Sequence, residues 1–265
     1  MPVYYNSMHT IDINCDLGEG YPHDAELMSC ISSANIACGF HAGDDDTIKR
    51  TIDLCLIEEV AIGAHPGFDD KANFGRTNMQ LSDCELYDLV SEQIVLMQDH
   101  CRREGCLLHH VKPHGALYNM AAADETMSYI IASVIKELDA SLYLYGLSNS
   151  HLIKEAKKLG IKTVSEVFAD RKYLSNGTLM PRSNANALIQ NTNEALEQCL
   201  QMIKTKTVSA LDNTVRVIDG LTQVNIPIHA ETICIHGDGA HAVEFAKAIH
   251  HCFIQNNIHL KIPGE

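Results

Sequence analysis

Apolar and polar positions follow two alternating rhythms along this chain. Short runs that read as apolar on both faces, as buried parallel strands do, give way to longer stretches with apolar residues at helical spacing. Thr10–Leu17 (TIDINCDL) predicts a first strand and Ala34–Phe40 (ANIACGF) a second. From Asp44 to Glu59, Ile48, Ile52, Cys55 and Leu56 share one helical face, with Asp44 as the N-cap. Val60–Gly67 (VAIGAHPG) predicts the third strand. Between Ser82 and Glu104, the residues Leu86, Leu89, Val90, Gln93, Met97 and Cys101 form one mainly apolar stripe. Ser82 and Glu85 have the spacing of a capping box, and Gly105 stops the helix. Leu107–Gly115 (LLHHVKPHG) predicts a fourth strand, ended by Pro113, and Asp124–Leu138 a helix. Ser141–Ser148 predicts the fifth strand, Ser150–Leu159 a helix closed by Gly160, and Lys162–Asp170 the sixth strand.

The rhythm then breaks. YLSNGTLMPR contains Asn176-Gly177, a strong hairpin signal. A helix near Asn193–Lys204 follows, then a second hairpin-like stretch, VSALDNTVRVI. Glu231–Asp238 predicts the seventh strand and Ala240–Gln255 the last helix. Repeated strand-then-helix units predict a parallel sheet with right-handed crossovers. An open doubly wound sheet fits the same pattern. Seven units with helices of similar length favour an α/β barrel of the TIM type. The expected organisation is a single domain over residues 1–265, with hairpin insertions near 172–182 and 206–218. No internal repeat, low-complexity segment or linker stands out.

The length of 265 residues suits one α/β barrel, and 46% hydrophobic residues suffice for a sizeable core. Tryptophan is absent and aromatics make up 6%, which disfavours a sugar-stacking surface or a wall of base-stacking rings. A formal net charge of −14 disfavours binding to nucleic acid or to an anionic membrane. No apolar run approaches the ~18 residues that a membrane span needs. Ten cysteines raise the question of disulfides. The opening MPVYYNSMHT has neither a basic start nor an apolar stretch, so no signal peptide is expected. Cys15, Cys38 and Cys234 lie in or at the end of apolar runs, and no CxxC pair occurs. Reduced thiols in a cytoplasmic protein are expected.

The 15 histidines change the picture most, because histidine is the commonest metal ligand and acid/base group. In parallel α/β folds the active site sits where the strands end. Asp16 and Glu19 follow the first strand, and His41 and Asp44 the second. His65 ends the third, and Lys112 and His114 the fourth. Glu166, Asp170 and Arg171 close the sixth, and His236 and Asp238 the seventh. Desolvated charge is costly unless paired or bound, so this convergence predicts a catalytic or metal site. Asp16, His41 and His65 make a divalent-metal triad with open positions. The alternative is a direct pairing of Asp16 with one of those histidines. Lys112, inside an apolar run, must aim its ammonium at an anion: a phosphate, a substrate carboxylate, or Glu166 or Asp16.

No GxxxxGK[ST] loop is present. Gly237-Asp238-Gly239-Ala240-His241-Ala242 matches GxGxxA, but too little chain follows to complete a dinucleotide-binding unit. The pairs His109–His110 and His250–His251 read as structural.

With these residues in view, the chain resembles the LamB/YcsF family, the A subunits of ATP-dependent 5-oxoprolinase. The resemblance runs from about Ile11 to Phe253. It rests on the ordered blocks INCDLGEG, SANIACGFHAGD, AIGAHPGFDD, NFGR, HVKPHGALYNMAA, EVFADRKY, NGTLMPRS and TICIHGD. It implies a seven-stranded β/α barrel of the glycoside hydrolase/deacetylase type. It also implies hydrolysis of 5-oxo-L-proline to L-glutamate coupled to ATP hydrolysis, with separate B and C subunits that phosphorylate the lactam. The chain departs from the family pattern in a shorter stretch from Tyr21 to Glu26, in Asp45 where proline is usual, and in Gly239-Ala240-His241 where Thr-Pro-Gly is usual. These departures bear on the shape of the substrate mouth and spare the strand-end residues.

The roles expected on this reading follow from lactam chemistry. Asp16, His41 and His65 hold a metal or orient a water. Asp170 or Glu19 is the general base, and Lys112 and Arg171 bind the phosphate or carboxylate of the intermediate. His236 with Asp238, or His114, is the general acid toward the ring nitrogen. Two other functions fit the same residues: a metal-dependent deacetylase of acetylated sugars, and a non-catalytic accessory protein that binds or delivers a small amide.

Overall fold

The structure, a computed structural model, describes residues 9–217, 220–236 and 242–265. Strand β1 (His9–Leu17) leads through a short helix, α1 (Asp24–Met28), to β2 (Ser33–Ala37). Then come α2 (Asp45–Ile57), β3 (Ala61–His65), α3 (Asp83–Arg103) and β4 (His110–Val111). Consecutive helices α4 (Gly115–Ala123) and α5 (Glu125–Asp139) precede β5 (Tyr143–Leu147), α6 (His151–Lys158) and β6 (Lys162–Phe168). The short strand β7 (Tyr173–Leu174) and α7 (Thr192–Thr205) are followed by β8 (Thr207–Val217) and β9 (Gly220–Pro227). Finally come β10 (Thr232–Ile235), α8 (Ala242–Gln255) and β11 (Ile258–Leu260).

Seven parallel strands close into a barrel in the order β1-β2-β3-β4-β5-β6-β10, with β10 returning to pair with β1 from Asp12↔Thr232 to Cys15↔Ile235. β11 adds alongside His9–Ile11 of β1. A separate small sheet runs β7-β8-β9. The expected barrel is therefore present.

Its interior is not apolar, however, and here the reading of the strands as apolar on both faces is corrected. In TIDINCDL the period of two puts Ile11, Ile13, Cys15 and Leu17 on one face and Asp12, Asn14 and Asp16 on the other. The polar set points inward and is stacked in hydrogen-bonded layers. Asp12 accepts hydrogen bonds from Ser32 at 2.6 Å and Ser33 at 2.7 Å. Burial pushes its carboxyl up to about 6, although these hydroxyls and that of Thr232 oppose the rise. Above it, Asn14 donates to Thr232 at 2.8 Å and accepts from Asn35 at 2.7 Å. Asn35 in turn accepts from His110 at 2.8 Å. Inside a barrel such polar groups persist only because each finds a partner. His110 is buried in this ladder, and His109 stacks on Tyr143, so both have structural settings.

The helix signals hold where they are chemical. Glu85 accepts from the Ser82 amide at 2.7 Å while Ser82 Oγ accepts from the Glu85 amide at 3.4 Å, completing the capping box of α3. Asp44 caps α2 by accepting from the Thr47 amide at 2.9 Å. Other boundaries move. β4 has only two residues, because Pro113 offers no N–H to extend the ladder. The following GALYNMAAA forms α4, whose near-uniform apolarity gives no periodic signal. α1 and β11 are too short to register as patterns. VSALDNTVRVI is not itself a hairpin: it runs as β8 through Val217 and pairs antiparallel with β9. Around Asn176-Gly177 a tight turn does form, with the Leu174 amide donating to the Thr178 carbonyl at 2.8 Å. The last helix begins at Ala242, and Asp238 and the rest of 237–241 lie outside the described residues. All ten cysteines are free thiols. Among the described residues no helix is long and apolar enough to cross a membrane.

Candidate active site

Beyond the C-terminal ends of the barrel strands lies a cavity of about 640 Å³. Asp16, Glu19, His65, Lys112 and His114 line one side, and Phe168, Arg171 and His236 the other. Local backbone places each group. After β1 the chain turns at Gly18 (φ 71°), whose amide donates to Asp24 at 2.9 Å, and this brings Glu19 back over the barrel mouth. Gly39 (φ 86°) and Gly43 (φ 77°) flank the turn that carries His41. His65 is the last residue of β3. His114 precedes α4, and its amide donates to the Pro66 carbonyl at 2.8 Å.

Three histidines and a glutamate form the first group. His41 and His114 stack face to face at 3.7 Å, with His65 edge-on to both. Glu19 Oε1 lies 3.5 Å from His41 Nε2, 3.5 Å from His114 Nδ1 and 4.0 Å from His65 Nε2. His65 Nδ1 sits 2.7 Å from the Lys112 carbonyl and His114 Nε2 sits 2.9 Å from the Phe74 carbonyl. A carbonyl only accepts, so both nitrogens carry the proton. Burial, with the neighbouring rings adding to it, pushes His114 down to about 3 and His41 further in the same direction.

Asp16 and Lys112 form the second group. The Lys112 ammonium is buried and contacts Asp16 Oδ1 at 2.8 Å, Glu166 Oε1 at 2.8 Å and Asn14 Oδ1 at 3.0 Å. Burial opposes its charge, yet Asp16, Cys234 and Glu166 together hold its pKa well above the ordinary lysine value. Asp16 also accepts from Asn35 at 2.8 Å and faces His65 at 3.3 Å. Burial would raise its carboxyl, but His65 and Lys112 outweigh that and hold it well below the usual range.

On the opposite wall, Asp170 meets His236 Nδ1 at 2.9 Å, and the His236 ring stacks on Phe168. Arg171 is buried; its Nη2 donates to the Met180 carbonyl at 2.7 Å, while its Nε has no hydrogen-bond partner. Burial and the nearby charge of Arg182 pull its pKa down. Gln198 of α7 fixes this turn by donating to the carbonyls of Phe168 and Arg171, each at 3.0 Å.

The residues expected from strand ends thus converge, except Asp44, which is exposed as the N-cap of α2, and Asp238, which lies outside the described residues. Their grouping differs from expectation. Glu19 and His114 join His41 and His65, whereas Asp16 is tied to Lys112. The ammonium of Lys112 is already held by Asp16 and Glu166 and does not face the cavity as an empty anion site. Asn14, Asn35, Cys234 and Phe74 were not anticipated. The inward phase of β1 and β2 was the available signal for the first two.

The His41–His114 stack depends on Gly67. A Cβ there would sit 2.7 Å from His41 Nδ1. Gly67→Ala should therefore displace the ring and cost about 1–3 kcal/mol through overpacking. Urea unfolding reads this directly, and an unchanged midpoint would show that the packing is slack.

The LamB/YcsF family model matches residues 11–264. A protein of Brevibacillus brevis, named as the A subunit of 5-oxoprolinase, is 49% identical over 91% of this chain and 93% of its own length. One of Tolumonas auensis with the same name is 45% identical over 96% and 99%. Among solved structures, the lactam utilization protein from Thermus thermophilus superposes with a TM-score of 0.85 at 38% identity, covering 95% of this chain and 99% of that one.

Proposed function

The chain belongs to the LamB/YcsF family, and from that premise we propose that it is the A subunit of an ATP-dependent 5-oxoprolinase. It opens the lactam of 5-oxo-L-proline to L-glutamate in the cytoplasm, together with separate B and C subunits. The observation that carries this reading is the strand-end cavity, where a histidine–carboxylate cluster faces a His236–Asp170 pair and a buried arginine. The relatives named as 5-oxoprolinase A subunits support it.

A lactam keeps the amide resonance that gives a peptide bond its rotation barrier of ~18–20 kcal/mol, so water attacks it slowly. Phosphorylation of the lactam oxygen removes that resonance. The sequence has no Walker-A loop, and transfer from ATP belongs to the partner subunits. In the cavity, water adds to the activated ring carbon and gives its proton to Glu19. His41 and His65, with Asp16 anchored by Lys112, orient that water. His236, held by Asp170, protonates the ring nitrogen as the C–N bond breaks. The remaining acyl phosphate takes up a second water to give glutamate and phosphate. Arg171 supplies charge-assisted hydrogen bonds to the substrate carboxylate or phosphoryl group. Asp170, expected as a base, is better placed as the partner that orients His236.

With B and C subunits present, glutamate and ADP should appear in equal amounts from 5-oxoproline, and neither should form when this chain is omitted. Acetate release from an acetylated sugar by the isolated chain would overturn the assignment. So would turnover that persists without the chain.

A further inference from the structure

We infer that Glu19, His41, His65 and His114 form a binding site for one divalent transition-metal ion. The key is the direction of four lone pairs. His65 donates from Nδ1 to the Lys112 carbonyl and His114 donates from Nε2 to the Phe74 carbonyl. Their remaining nitrogens, His65 Nε2 and His114 Nδ1, lie 2.9 Å apart. In the neutral rings that metal ligation requires, both carry lone pairs, which repel at this separation. A cation between them turns the repulsion into two bonds, and the carbonyls already fix the ring orientation and tautomer, as the outer partners of metal-bound histidines do. With no ion bound, a proton on His65 Nε2, facing Asp16 at 3.3 Å, takes the cation's place.

The other two groups complete the set. Neither ring nitrogen of His41 has a hydrogen-bond partner, although the side chain is fully buried. Leaving such an atom unsatisfied costs about 1–3 kcal/mol. Glu19 Oε1 supplies the negative charge that a divalent ion requires. One donor atom from each of the four residues lies within 4.8 Å of all the others. The Glu19–histidine distances of 3.5–4.0 Å are below about 4.2 Å, twice an ordinary metal–ligand bond. A common centre is therefore within reach. Two nitrogens 2.9 Å apart, each about 2.1 Å from an ion, subtend roughly a right angle. That favours five- or six-coordination over a tetrahedral zinc site, leaving one or two positions toward the cavity. Three imidazoles favour zinc, iron, cobalt or nickel over magnesium or calcium. Asp16 lies beside this set and not in it: Lys112 and Asn35 hold its Oδ1, its Oδ2 faces His65 Nε2 at 3.3 Å, and the four mutually close donors are those of Glu19, His41, His65 and His114.

An ion here would supply Lewis-acid polarisation beside the cavity. The site itself is argued from geometry and does not depend on the lactam reading.

The test uses the full-length protein stripped with chelator, then titrated with Co²⁺ and followed by visible absorption. Bound metal is counted after equilibrium dialysis. About one equivalent should bind. Glu19→Gln and His114→Gln should each weaken binding by ~10–100-fold or more, and Asp16→Asn should weaken it less than either. Thermal melting of the metal-free proteins checks that the variants fold, and the wild-type titration needs no variant at all. Absence of saturable binding in the wild type would overturn the inference. So would loss of binding in Asp16→Asn with wild-type affinity in the other two. A protein that binds the ion but gives no glutamate with its partners would refute the lactam reading and leave this one standing.

Discussion

Lys112→Met should destabilise the protein by about 3–5 kcal/mol, the usual cost of breaking a buried ion pair from one side. The reason is specific to this barrel. One ammonium is shared by two carboxylates at 2.8 Å each, and the Glu166 side chain is fully buried. Without the lysine, Glu166 must take up a proton or remain as an uncompensated charge in the buried interior. Asp16 loses the charged one of the two donors that hold it in front of His65 and keeps Asn35. The double variant Lys112→Met/Glu166→Gln should recover much of the stability, because the buried charge is removed along with its partner. It should not recover glutamate release, because Asp16, left with Asn35, still lacks its charged partner. Urea unfolding and turnover of the reconstituted complex separate the two effects. A single variant within 1 kcal/mol of wild type, by the same scale, would mean that the interior is more hydrated than its packing indicates.

His65→Ala and His41→Ala should each reduce turnover of the reconstituted complex by about 10²–10⁴-fold, the range for a positioned acid/base group, while the barrel stays folded. His65 touches every part of the cluster: the Lys112 carbonyl at 2.7 Å, His114 at 2.9 Å and Asp16 at 3.3 Å. Its removal leaves a cavity at the barrel mouth and frees the Lys112 carbonyl, but breaks no backbone ladder bond between strands. The ring nitrogens of His41 have no hydrogen-bond partner, so truncation breaks no such bond and its effect on rate is the cleaner of the two. Full activity in both variants would exclude the cluster from the reaction.

These residues were legible in the sequence for a simple reason. Parallel strands bring their C-terminal ends together, so ionisable residues at strand ends converge whatever the details of the helices. Asp16, His41, His65, His114, Arg171 and His236 could be placed by that rule alone. Which of them touch each other could not, because contact depends on loop turns rather than strand phase. Glu19 reaches the histidines only through the turn at Gly18, and His114 is oriented by the Phe74 carbonyl from a distant loop. The polar interior was hidden by composition. A run such as TIDINCDL looks continuous and apolar until its inward positions are separated from its outward ones. α4 was hidden in the opposite way, since GALYNMAAA is nearly all small or apolar and offers no polar face in the sequence.

The pairing of β10 with β1 also governs when the site comes into being. Asn14 and Thr232 bond across 218 positions of sequence, so the ring closes only once β10 has been made. Contacts this remote slow folding, because the entropy of a long loop must be overcome first. A chain still emerging from the ribosome can form α1 to α7 and the β1–β6 portion of the sheet, but it keeps an exposed seam on either side. Asp16 and Lys112 acquire their final surroundings, Cys234 included, only when that seam closes. Synthesis of the last barrel strand is thus the step that turns an open sheet with two reactive edges into a competent protein.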